Sequence, residues 1–435
     1  MAIAIPSALQ PAARLADRTR HQTALRLLPF LFALYLANYL DRTSVAYAAI
    51  GMTRELGFSD RVFGMGAGVF FISYVALQIP GALLVERWSA RRMISLTMIA
   101  WGSMTALTAL VHSPAQLYVA RFLLGAAEAG FFPGVIVYLS HWFICEDRAK
   151  VTSNFMSAIP LSFVIASPVA GLILGRNWFA LAGWRWLFIL EGLPAILLGI
   201  FAFFYLTDLP DQAKWLAPDQ RQWIENKLQE ERSAGIEAMP IRQALTSSTI
   251  LLLAAVCFLN YFAFYSFLFW LPTMFKRQSG FSDLNVGLLG ALPYAGLFIA
   301  MLVNGWHSDK HCERRWHCAV PSFVAAVALL GLVAAHPQSI PVLLTLFTLV
   351  TVGNAYLPAL WAIPTEYLCK SAAAASIGMI NAVGSIAGFA GPYLFGYMNT
   401  KFGSFSYGLT VLAITSIAAG LLVLRVPQKA LAPTI

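Results

Sequence analysis

Two pairs of charged residues stand where charge is expensive. Asp41 and Arg42 are adjacent in "LANYLDRTSV" (37–46), with Asn38 one turn earlier; Arg121 and Glu128 are seven apart in "RFLLGAAEAGFFPG", with Gly125 between them. Both stretches lie inside long apolar runs. A charge at mid-bilayer costs about 2.5–3.5 kcal/mol on insertion scales, so four of them imply a task. Arginine stays protonated and offers a planar fork matched to a carboxylate, so Arg42 and Arg121 can receive an anionic substrate or neutralise Asp41. A carboxyl group can change its protonation state. Glu128, with no cation beside it in sequence, is the expected proton carrier, and Asp41 is expected to be coupled to it. Spacing of seven puts Arg121 and Glu128 on one helix face, and Gly125 leaves that face open to a close neighbour.

The elements that hold these residues are membrane helices. The chain has 435 residues, 59% hydrophobic and 11% charged, with a mean hydropathy of +0.70, whereas soluble domains are about a quarter charged. A bilayer core takes about 20 apolar residues per helix. Runs of that kind lie at roughly 25–48, 63–85, 93–112, 117–143, 152–175, 184–207, 249–275, 284–306, 317–335, 340–364, 372–398 and 404–425, about twelve in all. The expected fold is an all-α polytopic membrane protein of 12 transmembrane helices in two pseudo-symmetric six-helix halves. Its parts are a tail (1–24), an N-terminal bundle (25–207), a polar linker (208–248), a C-terminal bundle (249–425) and a second tail (426–435). In the linker, Pro218 near a helix start, Trp223, Ile224 and Leu228 at helical spacing, and Gly235 as a stop predict a short surface helix.

Lys and Arg concentrate in the tails and in the loops on their side, which predicts cytoplasmic termini. The net charge of +9 is thereby explained by topology and needs no nucleic-acid partner. Residues 1–24 do not read as a secretory signal. The five cysteines, Cys145, Cys257, Cys312, Cys318 and Cys369, are expected to be free thiols. His307, His311, Cys312, His317 and Cys318 fall close together, but among Lys and Arg and without paired ligand spacing, so no metal is expected. No nucleophile elbow, phosphate loop or dinucleotide fingerprint is present. Neither an enzyme nor a cofactor is indicated.

The halves repeat. "ALLVERWSARR" (82–92) and "GWHSDKHCERR" (305–315) place an acid at 86 and 309, a base at 87 and 310, and paired arginines at 91–92 and 314–315, all offset by 223; Pro168 and Pro392 keep nearly the same register. Glu86, Arg87, Arg91, Arg92, Asp309, Lys310, Arg314 and Arg315 are therefore expected to gate: such contacts can form on one face only when the halves close there. Carried across the repeat, the charges of spans 1 and 4 meet uncharged residues in the second half, and the four mid-span charges are read as confined to spans 1 and 4. The opposite wall of a central site is then expected from Asn260, Tyr261 and Tyr265 in span 7, Tyr294 in span 8, and Asn354, Tyr356 and Trp361 in span 10.

"NYLDRTSVAYA", "RFLLGAAEAGFFPG", "WLFILEGLPAILLG", the linker's "PDQAKWL" and "CERRWH" in loop 8–9 together resemble the anion:cation symporter family of the major facilitator superfamily. Within it the chain is most similar to bacterial phthalate, tartrate and hydroxyphenylacetate permeases. The loop after span 2 departs from the family pattern, with Ala82 and Ser89 where glycine is usual and Glu86 for aspartate. The resemblance implies Arg42 as a carboxylate anchor, Asp41 and Glu128 as proton-linked acids and Arg121 as partner to an acid or to substrate. It also implies that Asn381 of "NAVGSIAGFAGP" faces the site while Gly384, Gly388 and Gly391 allow close helix approach.

The function expected is import of an organic carboxylate (aromatic acid, dicarboxylate or sugar acid) by proton symport, with sodium as the other possible cation. The protein is expected to be a monomer in the lipid bilayer of the cell inner membrane. Two alternatives stay open: a proton-driven exporter or exchanger of drugs or metabolites, and a non-transporting membrane sensor.

Overall fold

A computed structural model describes residues 9–233, 247–335, 339–367 and 370–427. Gly235, Cys369 and the outermost residues of both tails lie outside these, as do the side chains of Glu86 and Cys145. The described chain is helical. In the first half, α1 (Leu9–Leu56), α2 (Asp60–Arg87), α3 (Ala90–Thr108), α4 (Pro114–Glu128), α5 (Phe131–Trp142), α6 (Cys145–Met156), α7 (Ala158–Leu174) and α8 (Gly183–Tyr205) form one bundle. The linker carries α9 (Pro218–Ser233). The second half contains α10 (Ser248–Ser279), α11 (Asp283–His311), α12 (Arg315–Ala335), α13 (Ile340–Val352), α14 (Leu357–Tyr367), α15 (Lys370–Phe402) and α16 (Phe405–Val423). Ten segments among the described residues are long and apolar enough to cross a membrane; α3 and α15 occupy the two other expected spans.

Local sequence sets the helix ends. Ser59, Ser89, Ser113 and Ser282 each accept a backbone N–H at a helix start, and at Ser113 the Gln116 side chain returns the bond to complete a capping box. Gly280 ends α10 in a left-handed conformation at φ 66°. In the linker, α9 runs from Pro218 as expected and buries Ile224 and Leu228. It is tied to the first bundle by Arg148 to Glu231 (3.1 Å) and by Gln220 to Gln22 (3.1 Å).

Three expected spans are broken. Span 5 divides into α6 and α7 at Ser157. Span 4 divides into α4 and α5 at Ala129–Gly130, and span 10 divides into α13 and α14 through a 3₁₀ turn at Gly353–Tyr356. Gly353 lies 223 positions after Gly130, the offset of the loop motifs, so the repeat extends to this pair of breaks, whereas the Ser157 break has no counterpart in α15. Interrupted helices beside a central site recur in transporters built from repeats.

The halves meet along three helix pairs: α2 with α15, α7 with α11, and α1 with α10. Contact is tightest at the face away from the termini. There a Cβ on Gly287 would lie 2.5 Å from the Gly171 Cα and 2.5 Å from the Ser167 oxygen, so the α7–α11 crossing requires both glycines. The same face is pinned by charge. Arg277 holds Asp60 bidentately (2.7 and 2.5 Å), Asn399 donates to the same carboxylate, and Arg54 and Lys276 converge on Asp283 (3.3 and 2.8 Å).

Candidate substrate cavity

Between the halves lies a cavity with about 700 Å³ of empty space, part of it open to solvent. Its first wall is a stripe on α1. Tyr35, Asn38, Tyr39 and Arg42 follow the i, i+3, i+4, i+7 spacing of one helix face, and Tyr74, Glu128, Phe131 and Phe132 extend it from α2, α4 and α5. The facing wall is Tyr261, Phe264 and Tyr265 of α10, Leu357 and Trp361 of α14, and Asn381 and Ser385 of α15. Of the expected substrate residues, Arg42, Asn38, Tyr261, Tyr265, Trp361 and Asn381 thus share one cavity, and Glu128 joins them.

Arg42 is the centre of the charged wall. Its guanidinium lies over the rings of Tyr39 (5.0 Å), Tyr74 (5.0 Å) and Phe70 (5.3 Å), and its Nε donates to Glu128 Oε1 at 2.8 Å, with Nη2 on the same oxygen. Both residues are buried, 6% and 1% exposed. Glu128, which has no cation beside it in sequence, therefore has one in space, supplied from 86 positions away. Its Oε2 and the Asn38 Nδ2 are buried without hydrogen-bond partners.

Arg121 and Asp41 stand behind this wall. Arg121 donates to the Gly66 carbonyl (3.4 Å) and lies over the Phe70 ring (5.0 Å); Asp41 accepts from Thr105 Oγ1 at 2.8 Å. Neither lines the cavity. Arg121 therefore contacts backbone and an aromatic ring here, and Arg42 pairs with Glu128 rather than neutralising Asp41. Gly125 admits α2 against α4: a Cβ there would lie 2.1 Å from the Phe70 carbonyl oxygen and 2.5 Å from Ser73 Oγ.

Other expected wall residues pack elsewhere. Asn260 accepts from Ser322 (3.1 Å), Asn354 bonds to the Thr351 carbonyl (3.1 Å) as part of the 3₁₀ turn, and the Tyr294 ring packs tilted against Phe163 (5.1 Å). Tyr356 is likewise buried in the second half. The aromatic ring around Arg42 was not singled out from sequence, although the α1 stripe carried its signal. One charge was also overlooked. Span 6 contains Glu191, whose two carboxyl oxygens are buried, so mid-span charge is not confined to spans 1 and 4.

Among the described residues, the loop residues expected to gate make contacts within their own halves. Arg91 approaches Asp208 (3.5 Å), and the Arg92 backbone N–H caps α3 on Ser89. Arg314 pairs with Asp309 (2.5 Å), Arg315 reaches the Leu424 and Val426 carbonyls (3.4 and 3.3 Å), and Lys310 lies over Trp306 (5.1 Å). Arg87 is exposed. In the neighbouring histidine cluster, Glu313 accepts from the Trp316 and His317 backbone N–H groups (2.8 and 3.2 Å) and from His317 Nδ1 (2.7 Å). Cys257, Cys312 and Cys318 are free thiols.

Comparison with known proteins agrees with this architecture. The family model "Major Facilitator Superfamily" matches residues 31–392 and 274–434. The chain is 40% identical over 419 residues to a protein of Agrobacterium vitis named "Putative tartrate transporter", covering 96% of each. It is 35% identical over 399 residues to a "Quinolone resistance transporter" of Acinetobacter baumannii (90% and 91% covered). With the "Inner membrane transport protein RhmT" of Escherichia coli K12 the identity is 32% over 416 residues (94% and 95%). Among solved structures, the fold is shared with a bacterial homologue of the human lysosomal transporter Spinster in an inward-facing, unoccupied conformation (TM-score 0.73, 19% identity, 93% and 95% covered). A D-xylose–proton symporter also matches (TM-score 0.70, 16% identity, 92% and 97%). With the repeat, the broken helices and the central cavity, these matches make the chain a multi-pass membrane transporter belonging to the major facilitator superfamily.

Proposed function

We propose that the protein imports an organic carboxylate together with a proton, by alternating access of its two halves to the Arg42 cavity. One observation carries this reading: the guanidinium that would anchor a carboxylate is already held by Glu128. An incoming carboxylate gains full access to Arg42 only when Glu128 releases it, and protonating Glu128 removes the competing charge. Anion and proton therefore favour each other's binding at one residue pair. Asn38 and Glu128 Oε2 offer hydrogen-bonding capacity to a ligand's polar groups, and Tyr261, Tyr265 and Trp361 offer aromatic surface to its body.

Direction follows from topology and charge. With cytoplasmic termini, the tightly closed face is the outer one and the conformation is inward-facing. An anion entering against an inside-negative potential gains from a compensating cation, which favours symport in the inner membrane of a bacterial cell. Asp41 and Arg121, behind the wall, would relay charge changes at Glu128 rather than touch substrate.

The test is uptake of labelled tartrate, phthalate and hydroxyphenylacetate into proteoliposomes, with and without an inward proton gradient. Gradient-driven accumulation that Arg42→Ala abolishes, and whose pH dependence Glu128→Gln removes, supports the reading. Accumulation that stays pH-dependent in Glu128→Gln rejects Glu128 as carrier. A proton-driven exporter is the second reading, supported by the quinolone-resistance name of one relative. In that case proton entry drives efflux and the gradient dependence reverses.

A further inference from the structure

The first bundle buries a carboxyl that the proposed coupling does not use. Glu191 lies midway along α8, and both of its carboxyl oxygens are shielded from solvent without a hydrogen-bond partner. Buried polar atoms are seldom left so, and an isolated buried carboxylate is among the most costly groups a protein can hold. Its surroundings are specific. On one side α8 presses against α3: a Cβ on the adjacent Gly192 would lie 2.5 Å from the Gly102 carbonyl oxygen and 2.8 Å from the Ala106 nitrogen. On the other side is α1, where Ser44 lies against the carboxyl and Asp41 is the charged group that faces it. The Ser44 hydroxyl gives its proton to the Leu40 carbonyl (2.9 Å), and Asp41 takes one bond from Thr105 of α3 while its Oδ2 has none. Ser44 is three residues on from Asp41 and so shares its helix face.

Charge counting sharpens the point. Arg42 and Arg121 balance Glu128 and Asp41, and Arg121 faces both acids. Among the described residues, Glu191 is a third acid with no third cation beside it. The cluster reaches neutrality only when one of its three carboxyls carries a proton.

We propose that Glu191 is a proton-binding site in its own right, exchanging its proton with Asp41 across the α1–α8 contact and out of reach of the substrate cavity. The O–H bond that breaks on one carboxyl forms on the other, with Ser44 able to pass the proton between them by rotating its hydroxyl. No other reactant is needed. This site is independent of which solute the cavity carries, so it stands or fails apart from the symport reading.

The experiment is pH-difference infrared spectroscopy of the purified full chain in lipid nanodiscs, in H₂O and D₂O, with the proton as the only ligand. In the wild type a deuterium-sensitive C=O signal of buried protonated carboxyls is expected, to which Glu128 also contributes under the proposed symport; Glu191→Gln should remove one component of it, and Asp41→Asn should keep that component but displace its titration midpoint. A signal that Glu191→Gln leaves unchanged, or no such signal in the wild type, overturns the proposal. If Glu191→Gln does not fold, Asp41→Asn decides: an unshifted titration, or loss of the signal, refutes exchange with Glu191.

Discussion

Arg42 Nε donates to Glu128 Oε1 at 2.8 Å inside an aromatic enclosure made by Tyr39, Phe70 and Tyr74. Removing one partner of a buried ion pair leaves the other uncompensated, at a cost of about 3–5 kcal/mol. Glu128→Ala and Arg42→Ala should each lower the unfolding temperature in detergent, and the double variant should unfold above the worse single variant. Additive losses would show that the two side chains are not energetically coupled.

Gly287 is a point of close approach between the halves, with Gly171 opposite. A methyl group there cannot be accommodated without parting α7 from α11, and overpacking of this kind costs about 1–3 kcal/mol. Gly287→Ala should therefore shift the population toward states open at the face away from the termini. Labelling of a cysteine placed on α7 near Ser167 checks this, with faster modification expected; unchanged labelling would mean that the crossing absorbs the methyl group locally.

Asp60 receives two bonds from Arg277 and one from Asn399 across the same face. The pair is part-exposed, so its contribution is about 1 kcal/mol or less, enough to change a two-state population by up to roughly fivefold. Asp60→Asn should raise the fraction open there, read as a longer distance between spin labels on α2 and α15. High salt should reproduce part of the effect in the wild type and add little to the variant.

Glu313, outside the membrane segments, predicts a pH effect. Partial burial would raise its carboxyl, but bonds from the Trp316 N–H and from His317 outweigh it and hold the group below the ordinary glutamate value. A lowered acid contributes stability that is present above its unfolded value, about 4.3, and is lost as pH falls through the lower folded value. The gap in thermal midpoint between wild type and Glu313→Gln should be open at neutral pH and close below that value. A gap constant across the acid range would remove the capping role from Glu313.

Much of this was legible in the sequence because hydropathy and helix periodicity are local. The apolar runs gave the membrane helices, and the 223-residue offset between "ERWSARR" and "DKHCERR" related the halves. The ends were less legible: span 1 read as 25–48, whereas α1 runs Leu9–Leu56, since hydropathy reports the bilayer and not the helix. The breaks at Gly130 and Gly353 were invisible because apolar residues continue through both. The partner of Glu128 could not be read at all, since it arrives from another helix. Arg121, charged and on the right face, was expected at an acid or at substrate, and its burial behind Phe70 could not be foreseen because it depends on how α2 crosses α4. Glu191 was passed over as one acid in "WLFILEGLPAILLG", where nothing in sequence marks its neighbours.

The cavity's two walls differ in kind: Arg42 and Glu128 stand on one, while tyrosines, a tryptophan, an asparagine and a serine make the other. Under the proposed mechanism the proton-linked pair and the carboxylate anchor belong to the first half, while the second half meets the body of the solute. Substitutions at Tyr261, Trp361, Asn381 or Ser385 are then expected to retune which body fits while leaving the Arg42–Glu128 pair in place. A scaffold divided in this way can exchange one cargo for another by changes in one half, with the grip on the shared carboxylate kept in the other.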